Sequence, residues 1–121
     1  MKLVVNLKLR PSPYQRRALL QTLEAANAAC NRASGQAWEQ QVFGQFKLHK
    51  LTYYSIRQEF SLTAQVAVRC IAKVADAYKL DRKTQRSFKP RGSIAYDDRI
   101  LRYLPDDRVS IWTLKGRQTI P

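Results

Sequence analysis

Acid–base, metal or thiol chemistry in this 121-residue chain would have to be built from nine carboxylates, one imidazole and two thiols. The only adjacent carboxylates are Asp97–Asp98 and Asp106–Asp107. Two-metal phosphoryl chemistry needs carboxylates converging on ions about 3.5–4 Å apart. Neighbouring aspartates point in different directions, and both pairs fall where hairpin turns belong, a position Asp favours. His49 stands alone between Lys47 and Lys50, so it supplies neither a Ser/His/Asp relay nor a metal cluster. Four scattered glycines form no phosphate-cradling loop. Cys30 and Cys70 each lie inside a helical apolar pattern and read as buried free thiols. No catalytic residue, metal or other cofactor is expected.

The cations are another matter. Lys and Arg outnumber Asp and Glu by 22 to 9, a net charge of +13, which points to polyanions as partners. Residues 79–92, KLDRKTQRSFKPRG, hold six Lys/Arg against one Asp, with Pro90 and Gly92 breaking any helix. Lys and Arg neutralise phosphates and release counterions, and aromatic rings offer stacking surfaces to unpaired bases. Phe88 lies within this loop, Tyr96 and Tyr103 beyond it, and Tyr53–Tyr54 beside His49 and Lys50. Each ring also has a plain reading as core. No run of 18 apolar residues exists, and Lys8 and Arg10 come too early for a signal peptide; a soluble, cytoplasmic protein with no membrane partner is expected.

The elements that must position these groups follow from periodicity. Leu3, Val5, Leu7 and Leu9 alternate with Lys2, Asn6 and Lys8, which predicts a half-buried strand. Ser12 as N-cap and Pro13 in the first turn predict a helix from there to about Gln41. Its stripe is Leu19, Leu23, Ala26, Cys30, Ala33 and Ala37, Ala-rich enough for a neighbouring helix to come close. After Gly44 a shorter helix is predicted over 47–59 through Leu48, Leu51, Ile56 and Phe60. Ser61 is expected to cap a third helix carrying Val66, Cys70, Val74 and Ala77, widened by Ile71 and Tyr78. Short strands then alternate with turns: SIAY, RILRYL, VSIWTL and QTI, separated by DDR, PDDR and KGR.

A lone first strand would expose an edge, so it is expected to join the C-terminal meander. The fold class is therefore α+β: an incomplete antiparallel oligonucleotide-binding-type β-barrel with a three-helix insertion after the first strand. Residues 1–11 would be the first barrel strand, 12–80 the helical insertion, and 81–121 the basic loop and remaining strands, in one compact unit. The sheet is expected to continue past Pro121.

LKLRPSPYQRRALLQTLEAANAACN resembles the start of TnpB-type (OrfB) transposon proteins, in which a strand is followed by a Pro, a Gln and a Leu-rich helix reaching an Asn. Here those are Pro11, Gln15, Leu19 with Leu20, and Asn31. ADAYK, residues 75–79, is similar to the family's helix end before its basic loop. FKPRGSIAYDDRILRYL and VSIWTLKGRQTIP resemble the loop and strands that follow. Order and spacing over essentially the whole chain carry the likeness.

The resemblance implies the N-terminal wedge and recognition module of an RNA-guided DNA nuclease related to type V CRISPR effectors. The family's RuvC-like carboxylates and zinc-finger cysteines would lie beyond Pro121, so this chain is not expected to be an enzyme. Expected partners are guide RNA and target DNA, with a separate nuclease polypeptide or self-association through the open sheet edge as further ones. In such systems base pairing reads the target, while protein grips the heteroduplex backbone and a short flanking motif. Lys50, Thr63, Gln65 and Arg69 would face that motif. Arg86, Lys89 and Arg91 would hold phosphates, with Gly92 permitting their close approach; Arg10 and Ser93 belong to the same nucleic-acid-binding set. The alternative is a helix-turn-helix DNA-binding module, a transposase accessory or repressor. A pure protein-interaction domain is the third class.

Overall fold

Ser12 opens the first helix as its residue type predicts. Its hydroxyl accepts from the Gln15 amide (3.1 Å), and the Gln15 side chain accepts in return from the Ser12 amide (3.0 Å). This capping box, with Pro13 at the first helical position, satisfies two of the amides a helix start leaves unpaired. The computed structural model describes residues 9–94, 100–104 and 108–121. Their elements are α1 (Pro13–Gln40), α2 (Gln45–Phe60), α3 (Ala64–Leu80), β1 (Leu101–Tyr103), β2 (Val109–Thr113) and β3 (Gly116–Ile120). No helix among them is long and apolar enough to cross a membrane.

The α2–α3 junction departs from expectation. Ser61 does not start α3; it ends α2 in a left-handed conformation (φ 56°), its amide donating to the Arg57 carbonyl. Thr63 is the α3 N-cap, its hydroxyl accepting from the Val66 amide (3.4 Å). Leu62 lies between them and is buried. That burial decides which of two capping residues sits at the helix start.

The three helices bury one core. Ala26, Ala29, Cys30, Ala33 and Ala37 of α1 meet Leu48 and Ile56 of α2 and Val66, Ala67, Cys70, Ile71, Val74, Ala75 and Tyr78 of α3. Small residues on α1 let the other helices approach closely, and each fully buried Leu or Ile contributes about 1.5–3 kcal/mol. The Cys30 and Cys70 thiols are free and buried here, each donating to a carbonyl across the α1–α3 contact, Cys70 (3.7 Å) and Ala26 (3.5 Å) respectively. A hydrogen-bonding contact with Cys30, and then burial, push the Cys70 thiol upward from its ordinary pKa. Of the leucines read from the sequence as core, Leu19 and Leu23 are only partly covered and Leu51 is exposed.

The strands form an antiparallel sheet in the order β1-β2-β3, with Tyr103 opposite Val109 and Val109 opposite Ile120. Val109, Ile111 and Ile120 make a second cluster with Leu9, Leu19 and Leu101. The β2–β3 turn falls at Leu114–Lys115, one residue earlier than KGR suggests, and Gly116 takes the positive φ (94°). The Thr22 hydroxyl on α1 accepts from the Leu114 amide (3.0 Å), tying this turn to the helices. The architecture is α+β, three helices with an open three-stranded antiparallel sheet.

Three expectations fall wholly or partly outside the described residues: the first strand up to Lys8, Tyr96 with the Asp97–Asp98 turn, and the Asp106–Asp107 turn. Ser93 and Ile94, the described half of SIAY, are not in a strand. Leu9 and Arg10 do lie beside the sheet: Leu9 packs on its apolar cluster, and the Arg10 amide donates to the Pro121 carbonyl (2.9 Å).

Candidate nucleic-acid interface

The loop after α3 has no regular structure of its own, so its backbone polar groups need partners elsewhere. Helices α1 and α3 supply them. Asn27, Asn31 and Ser34, at spacings of four and three, share one face of α1. The Asn31 side chain accepts from the Phe88 amide (2.8 Å) and donates to the Phe88 carbonyl (3.0 Å). Asn27 Nδ2 donates to the carbonyls of Pro90 (3.2 Å) and Gly92 (2.9 Å), as well as to Leu23 (2.9 Å) on its own helix. The Ser34 hydroxyl donates to the Arg86 carbonyl. Tyr78 Oη, buried on α3, accepts from the Arg86 amide (3.1 Å) and donates to the Ser34 carbonyl (3.2 Å). Lys73 completes the clamp: its ammonium donates to Asn27 Oδ1 and to the Ser93 carbonyl (2.8 Å each) and lies 5.1 Å from the centre of the Phe88 ring.

The result is a strap, residues 86–93, held against the helices by its main chain and by the half-buried Phe88. Lys89 and Arg91 are exposed on it, and a concavity of about 400 Å³ opens among Lys89, Pro90, Arg91 and Gly92. Gly92 also has a packing role that the sequence reading did not foresee. A side chain there would meet the Lys89 carbonyl at 3.3 Å, with Asn27 and Lys73 at 3.5 Å. Its bareness lets the loop close onto the clamp, and its other side lines the concavity.

Two of the three strap cations, Arg86, Lys89 and Arg91, have acidic neighbours. Arg91 pairs with Glu24 on α1 (3.2 Å) and Arg86 with Asp81 (3.7 Å). Such exposed pairs contribute about 0–1 kcal/mol, so neither cation is held tightly by its carboxylate. Lys89 has no acidic partner among the described residues. Asp81 itself organises the start of the loop. The Lys83 amide (2.8 Å) and Thr84 hydroxyl (3.0 Å) donate to it, and these, with Arg86 nearby, hold its carboxyl below the usual carboxylate range.

The sequence-predicted site is therefore divided. Arg86, Lys89, Arg91 and Ser93 come together on the strap, though Ser93 contributes its carbonyl to Lys73. The Thr63 hydroxyl is committed to capping α3. Gln65 and Arg69 are half-buried on α3, and Lys50 lies on the outer side of α2, 4.7 Å from the Phe46 ring. Arg10 is exposed at the end of β3. Sequence reasoning missed Asn27, Ser34 and Lys73 altogether. The available signal was a polar 27–31–34 row inside an otherwise Ala-rich helix. Among the described residues no group of three or more His, Cys, Asp or Glu side chains converges.

Comparison with family models, with curated proteins and with solved structures finds no match.

Proposed function

We propose that the chain is a nucleic-acid-binding module in which the strap at 86–93 grips phosphate. One observation carries this reading: a loop rich in cations is fixed by its backbone, leaving Lys89 and Arg91 exposed beside a concavity, in a chain of net charge +13. A solvated linker has no need of five side chains making seven hydrogen bonds to its main chain. Preorganised cations lose less freedom on binding than cations on a loose tail.

The finer form of the proposal comes from the resemblance to TnpB-type proteins. It makes the sheet, with Leu9 and Arg10 beside it, part of an oligonucleotide-binding wedge barrel and α1–α3 its recognition insertion. Guide RNA and target DNA are then the partners, and the reading gives these 121 residues binding but no cleavage step. The three-residue connection between α2 and α3 favours a second reading, a helix-turn-helix DNA-binding module. In both readings replacing Gln65 changes preference among duplex sequences without altering salt dependence. The two separate on RNA, since only the first requires the chain to bind a structured RNA.

The test is a titration across salt concentrations with a structured RNA and with duplex DNA. Replacing Lys89 and Arg91 by Ala should weaken binding to both, and each lost phosphate contact should lower the salt slope by about 0.7–0.9. Unchanged affinity and slope would reduce the strap to a linker.

A further inference from the structure

The outer face of α2 carries rings and cations that the strap does not use. Two rows run along it at spacings of four: Phe46, Lys50, Tyr54 and His49, Tyr53, Arg57. Residues four apart are neighbours on a helix surface, so each row alternates or adjoins aromatic and cationic groups. The second row is internally assembled. His49 stacks on Tyr53 at 4.4 Å and 13°. Arg57 reaches the Tyr53 hydroxyl (3.4 Å), the Leu62 carbonyl (3.3 Å) and the Tyr53 ring (5.7 Å).

The first row is left open. Phe46 is 74% exposed and Tyr54 79%, against the strong tendency of aromatic rings to bury their area. Tyr54 is braced edge-on by Tyr53 at 5.2 Å, and Lys50 sits over Phe46. The two rings are eight residues apart, about 12 Å along the helix axis. A depression adjoins each: about 550 Å³ beside Phe46, Phe43 and Arg82, and about 290 Å³ beside Tyr54, Arg57 and Leu62. Glu59, the one acid on α2, is turned to Arg32 of α1 (3.5 Å).

We propose that this α2 face binds an unpaired nucleic-acid strand, with one base stacked on Phe46, another on Tyr54, and the intervening phosphates on Lys50 and Lys47. The proposal rests on the nucleic-acid-binding reading above and assigns it a substrate class. Charge complementarity selects a polyanion. The braced, exposed rings select flat faces over an acidic peptide, and bases paired in a duplex keep their faces stacked inside it. A separation of about 12 Å is too long for one base, so the two rings take bases of different nucleotides.

The experiment uses the full chain with fluorescent twelve-nucleotide oligo(dT) and oligo(U), a duplex of the same length, and a polyglutamate peptide. Phe46→Ala with Tyr54→Ala leaves the charge unchanged, and both rings lie outside the core, so its melting curve should match wild type. Affinity for the single strands should fall about 25-fold or more, at about fivefold or more per lost stack. The salt slope and duplex affinity should stay as in wild type, and Phe46→Tyr with Tyr54→Phe should bind as wild type does. Comparing oligo(dT) with oligo(U) identifies the strand; ring-dependent binding of either supports the proposal. If the alanine variant fails to fold, the single Phe46→Ser and Tyr54→Ser variants carry the same comparison. Equal loss on duplex and single strands, no loss on single strands, or ring-dependent capture of polyglutamate would overturn the proposal. Wild-type binding to duplex but to neither single strand would overturn it while leaving the strap's function standing. Wild-type binding to no nucleic acid would remove both.

Discussion

Helix α1 meets its neighbours by opposite means on two sides. Toward α2 and α3 it presents Ala26, Ala29, Cys30, Ala33 and Ala37, all fully buried, and the contact is made by area. Toward the strap it presents Asn27, Asn31 and Ser34, and the contact is made by hydrogen bonds to another segment's main chain. Helices bring their backbone bonds with them, so small apolar residues suffice at their contact. A segment without secondary structure must have its amides and carbonyls answered by side chains. An irregular loop can then be as well placed as a helix, provided a helix face is given over to it.

That contrast can be broken from either side. Leu48→Ala should cost about 2–5 kcal/mol by cavity formation, seen as a lower denaturation midpoint for the whole chain. Asn27→Ala should cost about 1–3 kcal/mol, because Gly92, Pro90 and Lys73 lose a buried partner, and hydrogen exchange should speed first in the strap. Equal acceleration everywhere would show that the strap does not open separately from the helices.

Tyr78→Phe sharpens the same comparison at one atom. The ring stays in the core against Phe43 (4.6 Å), while the Arg86 amide loses its acceptor. The expected cost is about 1–2 kcal/mol. Faster exchange at Arg86 without faster exchange in α2 is the signature.

The smallest effect is that of pH on Asp81. Its carboxyl is held below its ordinary value of 3.8 in the folded chain. A depressed carboxylate contributes stability that is complete above the unfolded value and fades as pH falls through the folded one. The loop's first turn should therefore keep its order at pH 5 and loosen below about pH 4. A carbon-13 titration should place the Asp81 midpoint under 3.8; a midpoint at or above it would mean the turn does not form.

Much of this was legible in the sequence where the cause is local. Ser12 and Pro13 act within one turn and marked the α1 start; the turn residues KGR between VSIWTL and QTI marked β2 and β3. Legibility fails where distant contacts choose. Ser61 and Thr63 are both good caps, and only the burial of Leu62 separates them. The charge of the strap was plain, but its anchoring joins residues 63 and 65 positions apart. Locally, Asn27 reads only as a polar break in an alanine stripe. Gly92 stood out for close approach, and the approach the structure shows is to Lys89, Asn27 and Lys73.

The central claim is that the strap binds phosphate because it is held. Asn31→Ala tests it most directly, since it keeps every cation and removes the pair of hydrogen bonds to Phe88 (2.8 and 3.0 Å). Affinity for duplex DNA, measured across salt concentrations, should fall about three- to tenfold with the slope unchanged, as expected when preorganisation is lost but charge is not. Full affinity in this variant, with the strap shown by hydrogen exchange to be loosened, would contradict the claim and leave the loop a string of cations whose placement does not matter.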